Sequence, residues 1–173
     1  MIEIEVYARS SVANIPTVII GVLLTILILG SCFLLWKKGW HEGIRYVVRL
    51  MLVEWVVLIF CTTGVFRNTR VESAINLIPL WSYFQYPDNS YLKEMAAINL
   101  LNVVMFMPIG FLLKFGVPQI TCQKVILVGA ILSALTELSQ FVFRKGLCEV
   151  DDVIHNVLGC VLGYGLCYMI LKR

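Results

Sequence analysis

Charged residues are scarce in this chain of 173 residues: only 14% are Asp, Glu, Lys or Arg, whereas 60% are hydrophobic. Soluble domains contain about 25% charged and about 45–50% apolar residues. A domain of this length leaves much of its surface exposed, so an apolar excess of this size cannot be buried inside one globule. The mean hydropathy of +0.86 agrees, and lipid is the expected solvent for the apolar surface.

The chain also lacks the patterns of several other protein classes. It has no dense basic run and a formal net charge of only +3, which argues against a nucleic-acid partner. Its six cysteines include no Cys-x-x-Cys pair, which favours small buried side chains over a disulfide framework or a zinc site. Without a motif such as His-Glu-x-x-His, the acidic residues around His155 do not predict a metal site, and no cofactor is expected.

Five apolar runs predict an all-α, polytopic membrane protein with about five transmembrane helices. The runs are residues 17–36, 46–66, 97–115, 124–143 and 153–171. A polar segment without a basic n-region precedes the first run, so we interpret that run as a retained anchor and not as a signal peptide. We expect a single membrane domain over residues 1–173, with a core at about 46–171 and an extra N-terminal helix at 17–36.

Basic residues predict the orientation of these helices. Lys37, Lys38 and Arg45 follow the first run, and the chain ends in Lys172-Arg173. Short loops rich in Lys and Arg usually face the cytoplasm. The N-terminus is therefore expected outside and the C-terminus in the cytoplasm. Residues 76–84, which are apolar and aromatic but too short to span, are expected at the outer membrane interface.

Polar side chains within or beside the apolar runs are the candidates for a functional site, because a charge at the centre of a spanning helix costs about 2.5–3.5 kcal/mol on insertion scales. The candidate ligand-binding residues are Asn76, Asn99, Asn102, Glu137, Gln140, Arg144, Asp152 and Asn156. Helical spacing puts those of the last two runs on one side of each helix, at the depth of the outer leaflet. We expect them to line one outward-facing pocket, although each alone is equally typical of an interhelical hydrogen bond worth about 0.6–2 kcal/mol.

Two further patterns concern helix packing and shape. Gly159 and Gly163 form a Gly-x-x-x-Gly motif, which predicts close approach of a neighbouring helix. Pro108 removes a backbone donor from the third run and permits a kink there. Arg49 and Glu54 of the second run are expected to pair with each other or with a neighbour.

Several sequence blocks occur together in a fixed order over about residues 76–168. They are Asn76-Leu-Ile-Pro79-Leu80, Asn99-x-x-Asn102, Pro108-Ile-Gly110-Phe111, Glu137-x-x-Gln140 and Asp151-Asp152-x-x-x-Asn156-x-x-Gly159-x-x-x-Gly163-Tyr164. These blocks resemble the VanZ-like family, whose members are linked to glycopeptide resistance in bacteria. Many members carry an arginine directly before the acidic run, whereas here Arg144 lies slightly upstream. The resemblance implies a multi-pass protein of the bacterial cell membrane that reduces susceptibility to teicoplanin-type lipoglycopeptides.

Three functions remain open. In the first, the pocket binds an amphiphile without chemistry: a membrane lipid, a lipid-linked cell-wall precursor or the lipoglycopeptide itself. In the second, the protein is an enzyme that modifies a lipid-linked or envelope glycan substrate, with Glu137 as general base and Asp151 or Asp152 assisting. In the third, it is a scaffold that packs against another protein through Gly159 and Gly163.

Overall fold

A computed structural model describes residues 17–38, 40–65, 74–84 and 89–172, and nearly all of them are helical, so the all-α prediction is confirmed. The helices are α1 (Thr17–Lys38), α2 (Trp40–Phe60), α3 (Trp81–Phe84), α4 (Asn89–Gly116), α5 (Cys122–Val142) and α6 (Val150–Leu171). A π-helical turn, Cys61–Val65, extends α2. Two short strands, β1 (Ile75–Asn76) and β2 (Cys148–Glu149), pair in parallel.

Three of the described helices are long and apolar enough to cross a membrane, namely Leu92–Gly116 within α4, α5 and α6. Their outer faces carry exposed leucines such as Leu101 and Leu127, whereas Asn, Gln and Glu side chains on the same helices are buried. This distribution suits a protein whose solvent is lipid, because polar groups in a bilayer must find partners inside the protein. The protein is therefore a helical membrane protein, while five spans and the orientation stay predictions.

The most extensive helix contact joins α4 to α6 through a glycine seam, formed by Gly110, Gly159 and Gly163. A Cβ atom added at Gly159 would lie 2.2 Å from the carbonyl oxygen of Val103, and one at Gly163 would lie 1.9 Å from that of Met107. Only glycine allows the two backbones to approach so closely. The Gly-x-x-x-Gly motif thus packs against α4 of the same chain, which leaves the scaffold hypothesis without the surface it needs.

Neighbouring helices use the carbonyl groups of the turn before Pro108. Proline has no N–H to donate to the preceding turn of α4, and its ring disturbs the hydrogen bonds there. The indole N–H of Trp55 in α2 donates to the carbonyl of Met105 over 2.8 Å, and the thiol of Cys160 in α6 lies 3.6 Å from that of Phe106. These contacts attach α2 and α6 to the middle of α4.

The bundle has two chemically different ends. At the basic end, α4 stops at Gly116 and α5 begins after Thr121, whose hydroxyl accepts the N–H of Lys124. Arg49 donates from Nε and Nη2 to the carbonyl of Gly116 over 3.2 and 3.1 Å, so it bonds a neighbouring helix. At the other end, called the polar end here, α4 and α6 begin and α5 stops, and most of the candidate site residues lie there.

Candidate functional site

Polar side chains of three helices form a polar cluster at the polar end, and an irregular segment, the strap (residues 74–84), bonds to several of them. The members of the polar cluster are Asn99, Asn102, Glu137, Gln140, Asp151, Asp152, His155 and Asn156. Glu137 and Asn156 are each 2% exposed, and Asp151 is 5% exposed. The cluster is therefore compact, and a ligand can reach most of these groups only if part of the protein moves.

The strap is bound to the first turn of α6 and the strand before it. β1 pairs with β2, and the Asn76 amide donates to the carboxylate of Glu149 over 3.5 Å. The Asn76 side-chain oxygen also accepts the N–H of Ile78 over 3.2 Å, which is a turn typical of Asn. The N–H of Leu80, a residue with a positive φ of 59°, donates to the Asp151 carboxylate. The pairing of β1 with β2 and the carboxylates of Glu149 and Asp151 thus hold the strap in place.

A chain of hydrogen bonds links the strap to α4 and α6 through His155. Its Nδ1 lies 2.6 Å from the Asp151 carbonyl oxygen, which can only accept, so Nδ1 carries a proton. In the neutral ring Nε2 then accepts a hydrogen bond, which the Tyr83 hydroxyl donates over 3.2 Å. The Tyr83 oxygen accepts in turn from the Asn99 amide over 2.7 Å. The direction of every bond in this chain follows from the tautomer that Asp151 selects.

Two carboxylates connect the helices of the polar cluster to one another. Asp152 of α6 accepts a hydrogen bond from the Asn102 amide of α4 over 2.7 Å. Glu137 of α5 accepts the backbone N–H of Glu149 over 3.2 Å, immediately before α6 begins. Since a hydrogen bond to a charged group contributes about 1.5–3 kcal/mol, these contacts stabilise the junction of all three helices.

The deepest member of the polar cluster is Asn156, one helical turn below Asp152. Its amide nitrogen donates to the Ser133 hydroxyl over 2.8 Å, and Ser133 is completely buried. The Asn156 side-chain oxygen is also buried but has no hydrogen-bond partner. An acceptor left unsatisfied in this way costs about 1–3 kcal/mol. Polar side chains therefore lie deeper in the bundle than the helix ends, where they would be needed as caps.

Arg144 lies away from the other candidates. The i, i+7 spacing from Glu137 places both residues on one face only while the helix continues, but α5 ends at Val142. Arg144 occupies the following turn with a φ of 53°, and its side chain is exposed. The hydrogen bonds described for the polar cluster do not include it. The geometry thus gives no support to Arg144 as a ligand contact.

Several carboxylates surround Cys148 at the polar end and make its environment electrostatically negative. Burial raises the pKa of its thiol, and the nearby carboxylates of Glu137, Asp152 and Glu149 raise it further. Among the described residues no three His, Cys, Asp or Glu side chains converge closely enough to hold a metal ion. The arrangement offers hydrogen-bond acceptors and negative charge, together with the Tyr83–His155 pair.

The sequence missed three residues of this site, Tyr83, Ser133 and His155. Tyr83 stands in an aromatic segment where a role at the membrane interface explains it equally well. Ser133 lies four residues before Glu137, so the helical stripe from Gln140 through Glu137 could have been extended one turn deeper to find it.

Buried carboxylates and amides, with a partly buried imidazole, lie at one end of three apolar helices, as in a helical membrane protein with polar groups inside its bundle. The family model described as VanZ/LLP1 matches residues 46–172, which is most of the chain, and the chain therefore belongs to the VanZ/LLP1 family. Protein VanZ of Enterococcus faecium is 37% identical over 68 residues, a match that covers 38% of this chain and 42% of that protein. The chain thus aligns with less than half the length of this relative, and no solved structure matches.

Proposed function

We propose that this protein acts in the bacterial cell membrane and lowers susceptibility to teicoplanin-type lipoglycopeptides, and that its polar cluster binds the polar head of an amphiphilic or lipid-linked ligand. Membership of the VanZ/LLP1 family supports the first part. In this proposal the polar end faces outward, where the antibiotic and the lipid-linked cell-wall precursor meet. The ligand is bound and sequestered without chemical change.

The burial of Glu137, Asp151 and Asn156 is the observation that carries the proposal. Charged and amide side chains within membrane helices are costly, and they face protein interiors or ligand paths. A single Asn on each helix would be enough to hold the helices together. The number of polar groups exceeds this need, and one acceptor, the oxygen of Asn156, has no partner at all.

The strap supplies the second half of an amphiphile site. Leu77 is 71% exposed and Ile78 is 53% exposed, and both lie just before Leu80, whose N–H donates to Asp151 of the polar cluster. An acyl tail can pack against these side chains while the head lies beneath the strap. The strap is attached through a few hydrogen bonds, of which those to Asp151 and His155 are the most direct. Release of these bonds opens the path to Glu137.

The test is expression of the protein in a teicoplanin-susceptible host, with susceptibility and membrane protein level measured together. Wild type should lower susceptibility relative to empty vector, and equal susceptibility would overturn the proposal. Glu137→Gln should keep most of the effect, because a glutamine oxygen can still accept the N–H of Glu149. Near-complete loss at normal protein level would contradict simple binding. Glu94→Gln, the same change on α4 outside the polar cluster, is the matched control.

An enzymatic function is the second candidate, and the Tyr83–His155 hydrogen bond favours it. An imidazole fixed in one tautomer beside a phenol and a carboxylate cluster is suited to proton transfer. In that case Glu137→Gln abolishes resistance while the protein still accumulates. Mass spectrometry of lipid-linked precursors then differs between cells with and without wild-type protein. Identical precursor pools would exclude this candidate.

A further inference from the structure

An apolar groove lies between α2, α4 and α5, on the opposite side of the Pro108 turn from the polar cluster. Its volume is about 230 Å³, and every lining residue is aliphatic. Leu52, Val53 and Val56 line it from α2, Leu113 from α4 and Val128 from α5. The groove contributes nothing to the hydrogen bonds of the polar end, so its role is separate.

The groove is open to the outside of the bundle, because Val53 is 60% exposed and Val57 is 41% exposed. Outside the bundle at this depth is hydrocarbon. A dry cavity of about 150 Å³ with aliphatic and aromatic walls holds a benzene ring. A larger groove with only aliphatic walls therefore fits a segment of a flexible hydrocarbon chain.

Two cations stand at the basic-end mouth of this groove. Arg49 precedes Leu52 and Val53 by three and four residues, and Lys124 precedes Val128 by four, so each shares a helix face with the lining residues. Both side chains are exposed. The bonds of Arg49 to the Gly116 carbonyl use two of its N–H groups and hold the guanidinium beside the end of α4. The remaining N–H groups can bind an anion.

We propose that this groove and its two cations bind one anionic phospholipid, with an acyl chain against Leu52, Val56 and Val128 and the phosphate between Arg49 and Lys124. The cations lie about one helical turn from the first lining residues, which leaves room for the glycerol backbone. Basic side chains at the cytoplasmic end of membrane helices attract anionic lipids in this manner. The site is independent of the function proposed for the polar end.

Native mass spectrometry of the full-length protein in detergent tests the proposal. The protein is mixed with phosphatidylglycerol or with phosphatidylcholine of the same acyl chains, and the retained lipid is measured. Wild type should retain phosphatidylglycerol preferentially. Each of Arg49→Gln and Lys124→Gln should reduce this preference by about five-fold, the effect of one cation near a charged lipid surface. Arg49→Gln also removes the bonds to Gly116 and can disturb folding, whereas Lys124→Gln leaves those bonds intact and therefore tests the phosphate site by itself.

Two further variants separate the head from the tail. Val56→Trp fills the groove and should reduce retention of both lipids, whereas Lys172→Gln removes a cation of the same end on α6 and should change neither. Excess inorganic phosphate should not displace the lipid, because the acyl chain contributes to binding. Equal retention of the two lipids by wild type, or an unchanged preference in Lys124→Gln, would overturn the phosphate site. Unchanged retention in Val56→Trp, or displacement by phosphate, would overturn the acyl groove.

Discussion

The two ends of the bundle treat their charged groups differently. At the basic end, Lys114 donates to the carbonyl of Pro118 over 2.5 Å and lies over the rings of Tyr164 and Tyr168 at 5.3 and 5.5 Å. Its partners are a carbonyl of the turn that follows α4 and two aromatic faces, which compensate for the burial of the cation. At the polar end, by contrast, Glu137 and Asn156 lie inside their helices, below any terminus.

The two ends therefore differ in what their polar side chains bond. Arg49 and Lys114 of the basic end donate to the backbone carbonyls of Gly116 and Pro118. At the polar end, the Asp151 carboxylate bonds the strap. The buried side-chain oxygen of Asn156 at this end has no hydrogen-bond partner. Changes at the basic end should therefore alter stability or lipid retention but not teicoplanin susceptibility, whereas changes that remove hydrogen-bonding groups at the polar end should alter teicoplanin susceptibility.

The largest effect on stability is expected at the glycine seam, because α4 and α6, which it joins, both run from the polar end to the basic end. Gly163→Ala places a methyl group 1.9 Å from the Met107 oxygen, so the helices must separate, at a cost of about 3 kcal/mol or more. Thermal unfolding in detergent should show a strong loss of stability. Gly165→Ala on the same helix meets nothing within 4 Å and should stay within about 0.5 kcal/mol of wild type. Equal behaviour of the two variants would contradict the seam.

A smaller effect is expected for Lys114→Met. The change keeps the length of the side chain but removes the bond to Pro118 and the interaction with both tyrosine rings, a loss of about 1–2 kcal/mol. Thermal unfolding should report the loss, while teicoplanin susceptibility at matched protein level should equal that of wild type. Loss of resistance in Lys114→Met at a normal membrane protein level would contradict the expected difference between the two ends.

The smallest effect concerns two half-buried cysteines, Cys148 at the polar end and Cys122 at the basic end. In intact cells a membrane-impermeant maleimide should label a variant that keeps only Cys148, and a variant that keeps only Cys122 should require permeabilisation. The raised pKa of Cys148 leaves less thiolate at neutral pH, so its labelling should keep accelerating above the pH at which an ordinary thiol levels off. Glu137→Gln removes one cause of that raised pKa and should speed labelling a few-fold. Labelling of Cys122 first would reverse the proposed orientation.

The helical stripes were the part of the site that the sequence predicted best. Residues three, four or seven apart on a continuous helix share a face. Glu137 and Gln140 accordingly share a buried face of α5, and the partly buried Asp152 shares a face of α6 with the buried Asn156. The same arithmetic fails for Arg144, because the helix stops two residues earlier and a left-handed turn redirects the chain. Periodicity predicts a face but gives no signal for where a helix ends.

Contacts between segments far apart in the chain were beyond the sequence. The pairing of Ile75 with Cys148 involves strands of two residues, too short for any alternation to predict. The bond from Tyr83 to His155 joins residues 72 positions apart, and nothing in either neighbourhood indicates the other. Such bonds join several of the polar groups that the stripes predicted, since polar groups in a membrane bond to whatever the fold brings near.

The glycine seam also limits how the molecule can change shape. Two helices whose backbones touch, with the Gly110 backbone against that of Cys160, have no side-chain layer in which one can slide past the other. Together, α4 and α6 therefore behave as a fixed frame. In the proposed function a ligand would therefore reach the acidic groups by displacing the strap, which carries the exposed Leu77, and not by separating α4 from α6.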